Sequence, residues 1–169
     1  MTTPPIILIT GPTATGKTAL SITLAKALNA EIISADSQLV YKELNIGTAK
    51  PSTEEQAGIP HYGIDVVEPS VQYTAGNYAD ELSPVLQKLI AENKPVIITG
   101  GTGFYIQALL QPDRLQKIPP NPEFRKTLEA LASEKSELWL YEQLQEKDPK
   151  RAKEVLVHSL VLFGFVVFF

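Results

Sequence analysis

The sequence predicts an α/β fold, a parallel sheet flanked by helices, with a small helical insertion toward the carboxyl end. Three observations carry that prediction. Short, nearly continuous apolar runs alternate with helical patterns, the signature of strands covered on both faces. The first run leads directly into a glycine-bearing turn, Gly11-Pro12-Thr13-Ala14-Thr15-Gly16-Lys17-Thr18. The chain has 169 residues, 44% hydrophobic and 20% charged, enough for one proper core and a small appendage.

Taken in order, the first strand covers Ile6–Thr10, and the turn after it opens a helix over residues 18–28. Strands follow at Glu31–Ser34 and at 64–67, then a helix at 78–92 and a strand at 95–99. Gly103–Leu110 reads as a short helix, with Phe104 and Tyr105 as core residues. Beyond Leu110 the texture changes. Pro112, Pro119, Pro120 and Pro122 crowd a stretch that also holds Arg114 and Lys117, which marks a boundary or exposed connection. Two further helices, at 122–133 and 137–146, form the insertion, the first with proline at an early helical position. The expected division is a core over 1–110, an insertion over 111–154 and an atypical hydrophobic tail over 155–169. The tail, VLVHSLVLFGFVVFF, carries no formal charge apart from any on His158. It falls short of the roughly 20 residues of a membrane-spanning helix, and reads as a buried terminal strand or as a segment foreign to the fold.

Composition excludes several classes. With no cysteine, disulfide frameworks and thiolate metal sites are ruled out. The first residues, Met1-Thr2-Thr3-Pro4-Pro5, lack the charged start of a secretory signal, so a cytoplasmic location without membrane attachment is expected. A net charge of -4 argues against broad, non-specific nucleic-acid binding. The acidity is uneven: residues 1–110 hold 6 Lys and Arg against 10 Asp and Glu, the remainder 9 against 9. A surface for a polyanion is therefore expected in the second part.

The turn at residues 11–18 is a complete phosphate-binding loop between strand and helix, which makes the predicted fold P-loop NTPase-like. Its glycines let backbone amides close around a phosphate, the helix start adds positive potential, Lys17 supplies a cation, and the Thr18 hydroxyl can hold Mg²⁺. In parallel sheets ligands sit beyond the carboxyl ends of strands. There lie this loop, Ala35-Asp36-Ser37-Gln38 and Gly100-Gly101-Thr102-Gly103. Many phosphate-loop hydrolases end a later strand in an aspartate that helps hold Mg²⁺, but the strand ending at Thr99 runs into glycines. Asp36 is the carboxylate placed at a strand end. Metal binding, hydroxyl activation and proton abstraction from an amine all suit it, as does an ordinary turn aspartate.

Company narrows the choice. Asp36-Ser37-Gln38-Leu39-Val40-Tyr41 is followed by Asn45-Ile46-Gly47-Thr48-Ala49-Lys50-Pro51 and later by Gly100-Gly101-Thr102-Gly103-Phe104-Tyr105. Together with the phosphate loop these strings closely resemble the tRNA dimethylallyltransferase (tRNA isopentenyltransferase) family, over about residues 5–154. Leu39 stands where many members have glutamine. The resemblance implies transfer of a dimethylallyl group from dimethylallyl diphosphate to the exocyclic amine of the adenosine 3′ to the anticodon of tRNA. The phosphate loop then holds a prenyl diphosphate instead of ATP as the reactive ligand, with Mg²⁺ at Thr18. It also implies that Asp36 acts as general base, and that Thr102 and Arg125 contact the tRNA anticodon stem-loop, together with the 36–39 segment. Without the resemblance, Thr102 reads as a helix N-cap, Arg125 as a solvated helix arginine and His61 as structural. Asn121 stands where the family usually has aspartate before Pro122-Glu123.

After Asp148-Pro149-Lys150-Arg151-Ala152-Lys153-Glu154-Val155 the family pattern stops and the hydrophobic tail takes its place. The expectation is a chain truncated or altered after about residue 154, acting as a monomer if at all, and inactive where the missing part is needed. Adenylate isopentenyltransferase, a small-molecule kinase and a non-catalytic diphosphate-binding remnant are the alternative readings.

Overall fold

A computed structural model describes residues 4–112 and 121–153. The hydrophobic tail and part of the proline-rich connection lie outside these residues. The chain divides into two compact units, residues 1–116 and 117–169.

The first unit is built on a wholly parallel four-stranded sheet. Its strands are β1 (Ile6–Thr10), β2 (Glu31–Ser34), β3 (His61–Tyr62) and β4 (Val96–Gly100), in the order β1-β4-β2-β3. Between them run α1 (Lys17–Leu28), the single turn α2 (Thr53–Gln56) and α3 (Ala75–Ala91), and α4 (Gly103–Leu110) follows β4. Strand alternation sends Ile32 and Ile97 to one face, where Ala25 of α1 covers them. Ile33, Val96 and Ile98 point to the other, against Leu82, Leu86 and Leu89 of α3 and Leu109 of α4. Tyr78 is fully buried there, stacked on Tyr105 with ring centroids 4.3 Å apart, and donates its hydroxyl proton to the Ser34 carbonyl at 2.8 Å.

The helix starts follow local chemistry. Thr74 and Asn77 form a capping box at α3, so this helix begins a turn earlier than residue 78. The strand expected at 64–67 is absent. Gly63 (φ +78°) and Asp65 (φ +54°) turn the backbone out of the extended conformation, leaving β3 as two residues and Val67 in a lone bridge to Tyr41. Phe104 also departs from expectation, being 73% exposed while its neighbour Tyr105 is buried, because adjacent helix positions face different ways.

The second unit contains α5 (Pro122–Lys135) and α6 (Glu137–Lys147). The Asn121 side chain accepts a hydrogen bond from the Phe124 amide and Ser136 accepts one from Trp139, so each helix has its own side-chain cap. No helix among the described residues is long and apolar enough to cross a membrane.

Candidate functional site

The carboxyl ends of β1, β2 and β4 open onto one cavity of about 790 Å³. The phosphate loop forms one wall of it. Ala14 (φ +65°) and Gly16 (φ +81°) both take left-handed backbone conformations, and Gly16 does so at the residue that caps α1, where a side chain would be strained. The Thr15 hydroxyl and the Lys17 ammonium both donate to the Pro12 carbonyl, at 2.8 and 2.6 Å, which fixes the curl of the loop from Gly11 to Thr18. Thr13 through Thr18 line the cavity. The amides at the start of α1, with Lys17, make this wall suited to an anion.

Asp36 lines the same cavity. One clamp positions it: Ala35 N–H donates to the Thr99 carbonyl at 2.7 Å, and Thr102 N–H donates to the Ala35 carbonyl at 3.0 Å. The strand ends approach so closely that a Cβ on Gly100 would lie 2.1 Å from the Ala35 carbonyl oxygen, so only glycine fits. Asp36 Oδ1 accepts from Gln38 N–H at 2.9 Å, an Asx turn that orients the carboxylate. Oδ2 accepts no hydrogen bond among the described residues. Asp36, Gln38 and Leu39 line the cavity.

Thr102 occupies the N-cap position of α4, but its side chain makes no capping bond. Instead its hydroxyl accepts from Ser37 N–H at 2.9 Å and donates to the Ser37 hydroxyl at 3.2 Å. It therefore ties the loop after β4 to the loop after β2, beside Asp36. Burial pushes the Tyr105 phenol upward, and the charges of Tyr41 and Asp36 push it further. Arg125 lies in the second unit, exposed on the first turn of α5.

Sequence reading assigned no site role to several residues that line the cavity, His61 among them, which it read as structural. Lys50, only 5% exposed at its side chain, donates to the Tyr41 carbonyl at 2.7 Å and pairs with Asp65 at 2.5 Å, pinning the loop from Tyr41 to Pro51 to the cavity rim. Glu55 is a second carboxylate on the lining, but its Oε2 accepts from Ser52 N–H in the capping box of α2. His61 lines the cavity as well, with Nδ1 hydrogen-bonded to the Ile59 carbonyl; burial lowers its pKa, against that bond. Ser34 and Thr99 lie at the base of the cavity. A hydroxyl closing each apolar run, at Ser34 and at Thr99, was the signal in the sequence for these two.

Among the described residues no group of three or more His, Asp or Glu side chains is arranged to hold a metal. Mg²⁺ needs no such cage, since it takes hard oxygen ligands and keeps several waters. The Thr18 hydroxyl at the start of α1 is an oxygen donor of that kind, and the buried, unpartnered Ser34 hydroxyl on the same lining can meet one of those waters. The residues present fit the ion.

A family model described as IPP transferase matches residues 39–160, well over half of the chain. The chain belongs to the IPP transferase family. The tRNA dimethylallyltransferase of Roseiflexus castenholzii is 43% identical over 152 residues, covering 90% of this chain and 50% of that protein. The tRNA dimethylallyltransferase 1 of Syntrophotalea carbinolica is 45% identical over 159 residues, with 94% and 50% covered. Among solved structures, the tRNA isopentenylpyrophosphate transferase of Bacillus halodurans superposes with a TM-score of 0.62 at 38% identity, over 89% of this chain and 50% of that one. A eukaryotic dimethylallyltransferase acting on tRNA gives a TM-score of 0.74 at 30% identity, over 89% and 37%. This IPP transferase chain spans about half the length of the curated relatives it matches.

Proposed function

We propose that the protein carries the donor-binding and proton-abstracting half of a tRNA dimethylallyltransferase. The substrates are dimethylallyl diphosphate and the adenosine 3′ to the anticodon of tRNA. The observation that carries this reading is the one cavity lined by both the phosphate loop and Asp36, in a chain of the IPP transferase family.

The chemistry follows from that shared lining. The bond between the allylic carbon and the diphosphate oxygen breaks through a loose, cation-like state, and negative charge grows on the departing diphosphate. Loop amides and the Lys17 ammonium stabilise that charge where it develops. Thr18 would hold Mg²⁺ through its hydroxyl, and the ion would supply further positive charge against the same developing anion. The adenine amine is a weak nucleophile because its lone pair is delocalised into the ring. As nitrogen bonds to the allylic carbon, Asp36 takes the amine proton at Oδ2, the oxygen that accepts no hydrogen bond among the described residues. The base must leave its stack to reach this depth. In this reading Thr102 and residues Asp36, Ser37, Gln38 and Leu39 meet the tRNA around the reacting base, and Arg125 is a further tRNA contact.

The test offers a full-length relative carrying this segment unmodified tRNA and AMP in parallel, with labelled dimethylallyl diphosphate. Label in tRNA alone supports the proposal, whereas label in AMP alone turns it into a nucleotide prenyltransferase. γ-Phosphate transfer from ATP without prenyl transfer would make it a kinase.

A further inference from the structure

We infer that Ser34 and Thr99 form a hydroxyl pair under the phosphate loop that receives a hydration water of the divalent cation accompanying a bound diphosphate. The inference rests on the phosphate loop binding a diphosphate, as proposed above, and adds two residues to that site.

The sheet register places the pair. Ser34 of β2 is the cross-strand partner of Thr99 of β4, and β4 pairs on its other side with β1, the strand that feeds the phosphate loop. Ile32 and Ile97, two residues earlier on each strand, face α1, so alternation sends the Ser34 and Thr99 side chains to that same face. Both residues line the cavity at the point where the apolar layer beneath α1 gives way to hydroxyls. Ser21 of α1 lines it too, but its hydroxyl is already committed to the Thr18 carbonyl at 2.8 Å.

Ser34 is 2% exposed, and its Oγ has no hydrogen-bond partner among the described residues. A buried hydroxyl without a partner is costly, and a site that retains one commonly completes it with a water or ligand. The Tyr78 hydroxyl does not satisfy it, because that bond goes to the Ser34 carbonyl on the other face. Thr99, half-buried beside it, makes no side-chain hydrogen bond among the described residues either.

Position gives the pair its meaning. Thr99 is the penultimate residue of the strand adjacent to β1, and phosphate-loop hydrolases end a later strand in the aspartate that helps hold Mg²⁺. Here the position holds a neutral hydroxyl with a second one next to it. A neutral pair can orient a cation's water but adds no charge of its own, so its effect on diphosphate binding is expected when the cation is present.

The experiment titrates inorganic pyrophosphate into the 169-residue chain by calorimetry, with and without Mg²⁺, and records thermal unfolding of the same samples. The variants are Ser34→Ala and Thr99→Val, each close to isosteric with the residue replaced. Without Mg²⁺, both should bind pyrophosphate within about twofold of the unaltered chain. With Mg²⁺, binding should weaken about tenfold, as expected for losing a hydrogen bond in a charged complex. Ser34→Ala should also unfold at the same or higher temperature in the absence of ligand, since it removes an unsatisfied hydroxyl. Should Ser34→Ala fail to fold, Thr99→Val carries the same test. Equal weakening with and without Mg²⁺, or no weakening at all, overturns the pair's role while leaving the phosphate loop intact. Failure of the unaltered chain to bind pyrophosphate overturns the proposed function as well.

Discussion

Asp36 has its orientation set by one backbone hydrogen bond and leaves one carboxylate oxygen to act. In a full-length relative carrying this segment, Asp36→Asn should lower prenyl transfer by about 10²–10⁴-fold while diphosphate affinity stays nearly constant. Retained turnover, measured in a single-turnover assay, would remove the base assignment. Thr102 was legible as important but not for its contact: a threonine before a helix predicts a cap, whereas its hydroxyl spends both its bonds on Ser37. Such a link joins residues 65 apart in sequence, and no local pattern encodes it. His61 allows a test by pH. Burial is the larger influence and lowers its pKa from the ordinary 6.5, so the folded chain binds that proton less readily than the unfolded chain. The stability this confers is complete above pH 6.5 and is lost as pH falls through the lower, folded-state value. Chemical denaturation between pH 7.5 and 5 should show that decline, and His61→Gln should flatten it.

At the level of elements, the strands and the long helices follow from apolar periodicity, and most of their boundaries fall within three residues of expectation. The exception is instructive. Residues 64–67 have a strand-like composition, but Gly63 and Asp65 adopt positive φ and Asp65 is claimed by Lys50, a tertiary contact that outweighs β propensity. Lys50→Met should therefore loosen the loop from Tyr41 to Pro51, costing about 1 kcal/mol of stability, because Asp65 remains half-exposed and keeps its solvation. Faster hydrogen exchange confined to that loop is the expected readout. The approach of β2 to β4 predicts a larger effect. Gly100→Ala would push a methyl into the Ala35 backbone, and the strand ends that carry Asp36 and Thr102 would have to part. A loss of about 2–3 kcal/mol in urea unfolding is expected. Glycine at this position was readable as part of a loop motif, yet its reason, a backbone-to-backbone contact between strands, appears only once the sheet order is known.

For the whole molecule, the first unit brings phosphate loop and carboxylate to one cavity, which parallel topology alone already implied. What topology could not supply was the cavity's base. Ser34 and Thr99 carry no motif, and their pairing depends on β4 lying between β1 and β2. A ligand that binds the folded state stabilises it by mass action, so a diphosphate at one hundred times its Kd should add about 2.7 kcal/mol to unfolding. The central claim is that the loop at residues 11–18 holds the diphosphate of a prenyl donor in the cavity that Asp36 also lines. Calorimetric titration of dimethylallyl diphosphate into the 169-residue chain tests it most directly. The account predicts saturable binding at one site, displaced by pyrophosphate, lost in Lys17→Met and preserved in Asp36→Asn. Binding that survives Lys17→Met unchanged, or no binding by the unaltered chain, would contradict it.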